Sequence, residues 1–166
     1  MEPLNRPKLT IPKTSIEKSI DILSLSILIM SIVFVFIVWS SLPSEIPIHF
    51  NLKGEVDRWG GKEGIWLLPA IGLLIWISLT ILEKYPHKYN FFNLTPKNAR
   101  KQYINARLLV NILKGECVFI FVFFTGQSVN IANGNSFGIG FWELPVFLFI
   151  VFGTIFVFIF RSVKLK

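Results

Sequence analysis

The sequence ILSLSILIMSIVFVFIVW at residues 22–39 decides the fold, because it is an uninterrupted apolar run without a charged side chain. As an α-helix it extends about 27 Å at ~1.5 Å per residue, close to the roughly 30 Å hydrocarbon core of a bilayer. Comparable runs follow at residues 65–82, 108–125 and 141–160. We therefore predict an all-α membrane protein, a single domain over residues 1–166. Its four transmembrane helices are expected at residues 20–40, 64–83, 96–125 and 141–161.

The composition also indicates a membrane protein. Hydrophobic residues make up 52% of the chain and charged residues only 16%, against about 25% charged in a typical soluble domain. The net charge of +7 might suggest nucleic acid, but the basic residues flank the apolar runs, as they do in membrane proteins. We therefore expect membrane lipid, and no nucleic acid, as a partner. The single cysteine, Cys117, excludes an intrachain disulfide and a cysteine-based zinc site.

The distribution of Lys and Arg predicts the orientation. These residues concentrate before the first run, between the second and third runs, and after the fourth. The positive-inside rule then places both termini in the cytoplasm and residues 42–62 outside. Trp39, Trp66 and Trp142 all fall at the expected outer interface, which favours indole rings. Since the first run is longer than the h-region of a signal peptide, we interpret it as a retained helix.

Three polar residues interrupt the third run: Asn111, Lys114 and Glu116. Lys114 and Glu116 are two positions apart, so they face nearly opposite sides of a helix and cannot pair well. We expect Lys114 to extend its ammonium towards the cytoplasm. Glu116 is shorter and deeper, and we expect it to face the bundle in a protonated or hydrogen-bonded state.

Two interpretations of these charges stay open. Asp21 lies level with Arg107, and Glu83 ends the second helix on the same side, so the charges could lock the helices together. Alternatively, Glu116 serves a proton or ion path. A separate signal, Thr95 followed by Pro96, predicts the start of the third helix.

The segment at residues 42–62 is the densest cluster of chemically distinctive residues. Its prolines disfavour a helix and its glycines allow turns. We predict an ordered, non-helical loop in which His49, Asn51 and Asp57 bond the backbone while Phe50 and Trp59 pack over the helix ends. One histidine with irregularly spaced carboxylates does not match a zinc or calcium site. We expect no metal, no cofactor and no catalytic residues.

The order of residues in this loop is Leu-Pro-x-x-Ile-Pro-x-His-Phe-Asn-x-x-Gly-x-x-Asp-x-Trp-Gly-x-Lys, from position 42 to 62. This pattern resembles the domain of unknown function at the N-terminus of sporulation-delaying-protein immunity proteins, which are bacterial membrane proteins. The positions that would bind a partner are Pro47, His49, Phe50, Asn51, Gly54, Asp57, Trp59, Gly60 and Lys62.

The resemblance implies a non-enzymatic role in immunity to, or sensing of, an antimicrobial peptide. It also implies the cell membrane of a Gram-positive bacterium, an extracellular peptide toxin as partner, and a cytoplasmic regulator or membrane partner. Two other hypotheses remain. One is a small ion-coupled transporter that uses Glu116. The other is a structural subunit of a membrane complex that docks through a stripe of Arg100, Arg107 and Lys114.

Overall fold

The computed structural model describes residues 6–135 and 138–165 and contains four long helices and one β-hairpin. Four helical segments are long and apolar enough to cross a bilayer, which confirms this part of the prediction; the second, Lys62–Leu82, reaches this length together with a 3-10 helix at its start. The chain is therefore a multi-pass membrane protein. The helices are α1 (Ser15–Val38), α2 (Leu67–Leu82), α3 (Ala99–Ala132) and α4 (Glu143–Lys164).

The segment between α1 and α2 is an antiparallel hairpin of β1 (Glu45–Phe50) and β2 (Val56–Gly61). A short 3-10 helix, Lys62–Trp66, continues directly into α2. The fold is thus helical apart from this two-stranded sheet. An isolated hairpin is marginal in water, and this one is stabilised by packing against α3.

The starts of α1 and α3 differ from the predicted bounds because of local capping. Helix α1 begins at Ser15 rather than residue 20, since Thr14 and Glu17 form a capping box with reciprocal side-chain bonds to the backbone. Helix α3 begins at Ala99 rather than residue 96. The backbone N–H of Thr95 donates to Asn98 Oδ1 at 2.8 Å, and the N–H of Asn98 donates to Thr95 Oγ1 at 3.3 Å. This pair of bonds forms a turn that precedes the helix.

Helix α3 also ends later than predicted. It continues to Ala132 rather than residue 125, so Gly126 is helical instead of opening the connection to α4. A glycine inside a helix costs about 1 kcal/mol relative to alanine, which the flanking apolar packing of α3 outweighs. Part of the predicted connection, residues 136 and 137, lies outside the described residues.

Helix α3 is the centre of the bundle, because it packs against α1, α2, α4 and β1. Its polar side chains donate hydrogen bonds to backbone carbonyls near the end of α4. Gln102 Nε2 donates to the carbonyl of Ser162 at 2.9 Å, and Asn105 Nδ2 donates to that of Phe158 at 3.0 Å. These bonds attach the end of α4 to α3.

The bundle has two ends of different character. The basic end contains residues 6–14, 83–98 and 161–165, and the hairpin end contains residues 39–66, 133–135 and 138–142. Arg6 Nη1 donates to the carbonyl of Tyr89 at 2.8 Å, and Asn98 Nδ2 donates to that of Leu165 at 3.1 Å. The N-terminal tail, the α2–α3 connection and the end of α4 therefore meet at the basic end.

Candidate functional site

Asn51 shapes the tip of the hairpin. Its Oδ1 accepts from the backbone N–H groups of Lys53 at 2.8 Å and Glu55 at 3.1 Å, while its Nδ2 donates to the Glu55 carboxylate at 2.8 Å. Gly54 has φ +77°, a conformation that glycine adopts without strain. The predicted bonding of Asn51 to the backbone is therefore confirmed.

His49 and Asp57 bond each other across the two strands. His49 Nδ1 lies 2.5 Å from Asp57 Oδ1, and the side chains are 54% and 41% exposed. The expectation that both would bond the backbone is wrong, because the pairing of the strands is irregular at this point, with His49 opposite Arg58, and the irregularity brings the His49 and Asp57 side chains together. The pair is open to a molecule outside the bundle.

Trp59 pairs with Pro47 across the strands and remains 48% exposed. Other aromatic rings pack at the helix ends, where Trp59 was expected. The rings of Trp39 and Trp66 are 6.0 Å apart, and Lys62 Nζ lies 4.7 Å from the Trp39 ring. This group joins the end of α1 to the start of α2, and it leaves Trp59 as an accessible aromatic surface.

Three glycines join the hairpin to the α3–α4 connection. The N–H of Ile139 donates to the carbonyl of Gly54 at 3.0 Å, and Glu55 forms a bridge with Gly138. A Cβ at Gly54 would lie 2.2 Å from the carbonyl oxygen of Gly140, and one at Gly138 would lie 2.3 Å from that of Gly54. Larger residues would therefore separate the two segments.

A pocket of about 580 Å³ lies between the hairpin and the starts of α2 and α4. We call it the hairpin pocket. It is mainly apolar, and α3 forms its inner wall with Phe124 and Ser128. Phe50 is half-buried and lines the pocket. Gly60 lies outside it and leaves room for Ile48, whose Cδ1 would be 2.7 Å from a Cβ at position 60.

At the basic end, four charged side chains form a closed arrangement that we call the charge ring: Lys13, Asp21, Glu83 and Lys114. Lys114 is fully buried, and its Nζ lies 2.6 Å from Asp21 Oδ1 and 2.6 Å from Glu83 Oε1. Lys13 contacts the other oxygen of each carboxylate. Asn111 Nδ2 adds a bond of 2.7 Å to Asp21 Oδ1. Two cations thus neutralise two carboxylates.

Arg107 forms a second buried pair beside the charge ring. Its Nε and Nη2 donate to the two carboxylate oxygens of Glu17 at 2.7 and 3.0 Å. Its guanidinium also donates to the carbonyls of Ile11 at 2.6 Å and Pro12 at 2.9 Å. Arg107 therefore attaches the N-terminal tail to α3.

These contacts correct two predictions. Lys114 does not extend to the basic end as a solvated side chain, because two carboxylates and Thr80 Oγ1, at 3.1 Å, surround its ammonium. The proposed docking stripe is also wrong, since Lys114 and Arg107 are buried with partners in the same chain and only Arg100 is exposed. The alternative in which charges lock the helices together agrees with the structure.

Glu17 and Lys13 are parts of this cluster that the sequence argument missed. The signal for Glu17 was present, because Thr14 and Glu17 have the spacing of a capping box. Lys13 had no comparable signal. Partial burial of Lys13 disfavours its charged form. The hydrogen bonds that its ammonium donates to Asp21 and Glu83 outweigh that effect and raise the pKa of Lys13 above its ordinary value of 10.5.

Glu116 faces away from the charge ring. Thr154 Oγ1 on α4 donates to Glu116 Oε1 at 2.6 Å, so the expected hydrogen bond is present. Glu116 Oε2 is buried and has no hydrogen-bond partner among the residues that the structure describes. The side chain lines a lateral pocket of about 230 Å³ between α1 and α3, with Gly115 and Phe119.

Known proteins are similar to part of this chain. A family model described as "Domain of unknown function (DUF1648)" matches residues 26–73, which contain the whole hairpin. An "Uncharacterized protein" of Archaeoglobus fulgidus is 31% identical over 62 residues, which cover 32% of this chain. The match spans only 34% of that relative's length. No solved structure matches the chain. The resemblance to immunity proteins stays a prediction.

Replacing Lys114 tests the charge ring. Lys114→Met leaves Asp21 and Glu83 without their buried cation, and we expect the free energy of unfolding to fall by about 3–5 kcal/mol. Thermal unfolding in detergent measures the loss. Lys101→Met is the matched control, because Lys101 is exposed on the same helix. Equal unfolding temperatures for the two variants would contradict the assignment.

The raised pKa of Lys13 predicts its chemical reactivity. Only the neutral amine reacts with acetic anhydride, so the labelling rate of Lys13 should reach half its maximum at a higher pH than that of exposed Lys8. Mass spectrometry of each site measures both rates. The stability that this shift contributes is complete below pH 10.5 and is lost as the pH rises through the higher pKa of the folded state. Coincident pH profiles would argue against the contacts with Asp21 and Glu83.

Proposed function

We propose that this protein is a non-enzymatic membrane protein that senses, or protects the cell against, an extracellular antimicrobial peptide. The observation that carries the proposal is the hairpin itself, which presents Asp57, His49 and Trp59 on an exposed surface outside the four spans. The resemblance of residues 42–62 to immunity proteins supports the same function.

The hairpin offers two kinds of contact to a cationic amphipathic peptide. Trp59 is an exposed aromatic surface, and the nearby carboxylates of Glu45, Glu55 and Asp57 attract positive charge, although salt weakens that attraction. Strand β2 is also an edge of the two-stranded sheet described for this chain, and the other edge strand, β1, packs against α3. An extended peptide can add to such an edge through main-chain hydrogen bonds. We infer that contact occurs on the β2 side.

The orientation proposed for this function places the hairpin outside and both termini in the cytoplasm. The basic end concentrates the Lys and Arg residues of the N-terminal tail, the α2–α3 connection and the C-terminal segment, which the positive-inside rule assigns to the cytoplasm. Exposed Lys97, Arg100 and Lys101 at that end form a basic surface for a cytoplasmic regulator. The cell membrane of a Gram-positive bacterium is proposed from the resemblance.

Protection assays test this function. A peptide-sensitive Gram-positive host expressing the wild-type protein should survive a secreted cationic peptide from a panel, and Asp57→Ala should lose most of that protection. Lys53→Ala is the control, because Lys53 is an exposed residue of the same hairpin tip. Growth is measured at matched membrane levels. Survival that is unchanged by wild-type expression, or equal for both variants, would overturn the proposal.

A second candidate function is ion coupling through Glu116. It is favoured by the buried Oε2 that has no hydrogen-bond partner, since an intramembrane carboxyl in that state can bind a proton or cation. Under this function Glu116→Gln abolishes activity in the growth assay while Asp57→Ala retains it. The reverse pattern supports peptide recognition, so the two variants distinguish the candidates.

A further inference from the structure

The hairpin pocket includes His49 and Arg58 of the hairpin, but it is not lined by Asp57 or Trp59 and extends to α2, α3 and α4. Its volume of about 580 Å³ is within the range of roughly 300–1,000 Å³ typical of small-molecule sites. Its apolar walls come from β1, α2, α3 and α4, including Ile46, Leu68, Phe124 and Leu144. A ligand with an apolar body is required to fill it.

The charges around the hairpin pocket select the polar part of such a ligand. Arg58 lines the pocket, and among the described residues no carboxylate does. The Arg58 side chain is exposed and makes no hydrogen bond or ion pair within the described part of the chain. The other titratable lining residue, His49, is bonded to Asp57. The pocket therefore suits an anionic group and disfavours a cationic one.

The position of the pocket identifies the source of that ligand. Leu67 and Leu68 belong to the first turn of α2, and Leu144 belongs to the first turn of α4. Trp66 and Trp142 precede these two helices directly, and tryptophan is typical of the headgroup level of a bilayer. The pocket thus opens where lipid phosphates meet acyl chains.

We propose that the hairpin pocket binds one acyl chain of an anionic phospholipid, whose phosphate is held by Arg58. The guanidinium supplies several fixed N–H donors that match phosphate oxygens. The chain extends along Leu68, Phe124 and Leu144. Peptide recognition is proposed for Asp57 and Trp59, which do not line the pocket, whereas Arg58, between them on β2, does.

Photo-crosslinking tests the position of the acyl chain. The full chain is reconstituted in vesicles with phosphatidylglycerol that carries a diazirine on its acyl chain, and labelled residues are mapped by mass spectrometry. We expect labels on Phe124, Ser128 and Leu144. Leu144→Trp fills the pocket and should reduce labelling of Phe124 and Ser128 about fivefold. Leu148→Trp, one turn further along exposed α4, should leave that labelling unchanged.

The headgroup preference is tested with phosphatidylcholine that carries the same diazirine chain. Phosphatidylglycerol should label the pocket more strongly, and Arg58→Glu should reduce its labelling about fivefold, to the level seen with phosphatidylcholine. Lys53→Glu makes the same charge change on the hairpin without touching the pocket and should keep the preference.

Two outcomes of the lipid-labelling experiments overturn the proposal. One is equal labelling of Phe124 and Ser128 in Leu144→Trp and Leu148→Trp. The other is equal labelling by the two lipids in the wild-type protein. A photoreactive cationic peptide that labels these residues in place of lipid would also overturn it, and would assign the pocket to peptide recognition. Protection assays with Asp57→Ala remain a separate readout.

Discussion

The pairing of the buried Lys114 ammonium with Asp21 and Glu83 is the interaction on which the arrangement of the bundle depends. A charge inside a bilayer is costly unless a partner neutralises it, and the carboxylates that perform this role come from α1 and from the end of α2. These contacts restrict the relative positions of the three helices. The charge ring and the Arg107–Glu17 pair therefore act as specific contacts in a bundle whose remaining surface is largely apolar.

Helix α3 connects the charge ring to the hairpin at the opposite end of the bundle. The same helix that carries Lys114 also packs against β1 and forms the inner wall of the hairpin pocket with Phe124 and Ser128. The hairpin is further attached through a small core of Val35, Ile46 and Val129. A two-stranded sheet would otherwise be marginal. The packing against α1 and α3 therefore holds the hairpin, and with it the hairpin's exposed side chains, in place.

Local patterns predicted the helices and a turn at Gly54, because they depend on residues that are close in the chain. Hydropathy identified the four spans, and the φ of +77° at Gly54 agrees with the expected turn, but the pairing of β1 with β2 in the predicted non-helical loop was not foreseen. The partners of Lys114 were not predictable in the same way, since Asp21 is 93 positions away and pairing depends on how the helices pack. The hairpin pocket was also not predictable from the sequence, because residues from several elements that are distant in the chain line it.

The charge ring has a consequence for how the protein is made. Asp21 and Glu83 enter the membrane with α1 and α2, whereas Lys114 arrives only with α3. Until α3 is inserted, Lys13 is the one cation of the charge ring available to Asp21 and Glu83, and Glu17 lacks Arg107. The charge ring is therefore completed only when α3 is in place. A fragment truncated before α3 would lack the buried cation that α1 and α2 share in the folded bundle.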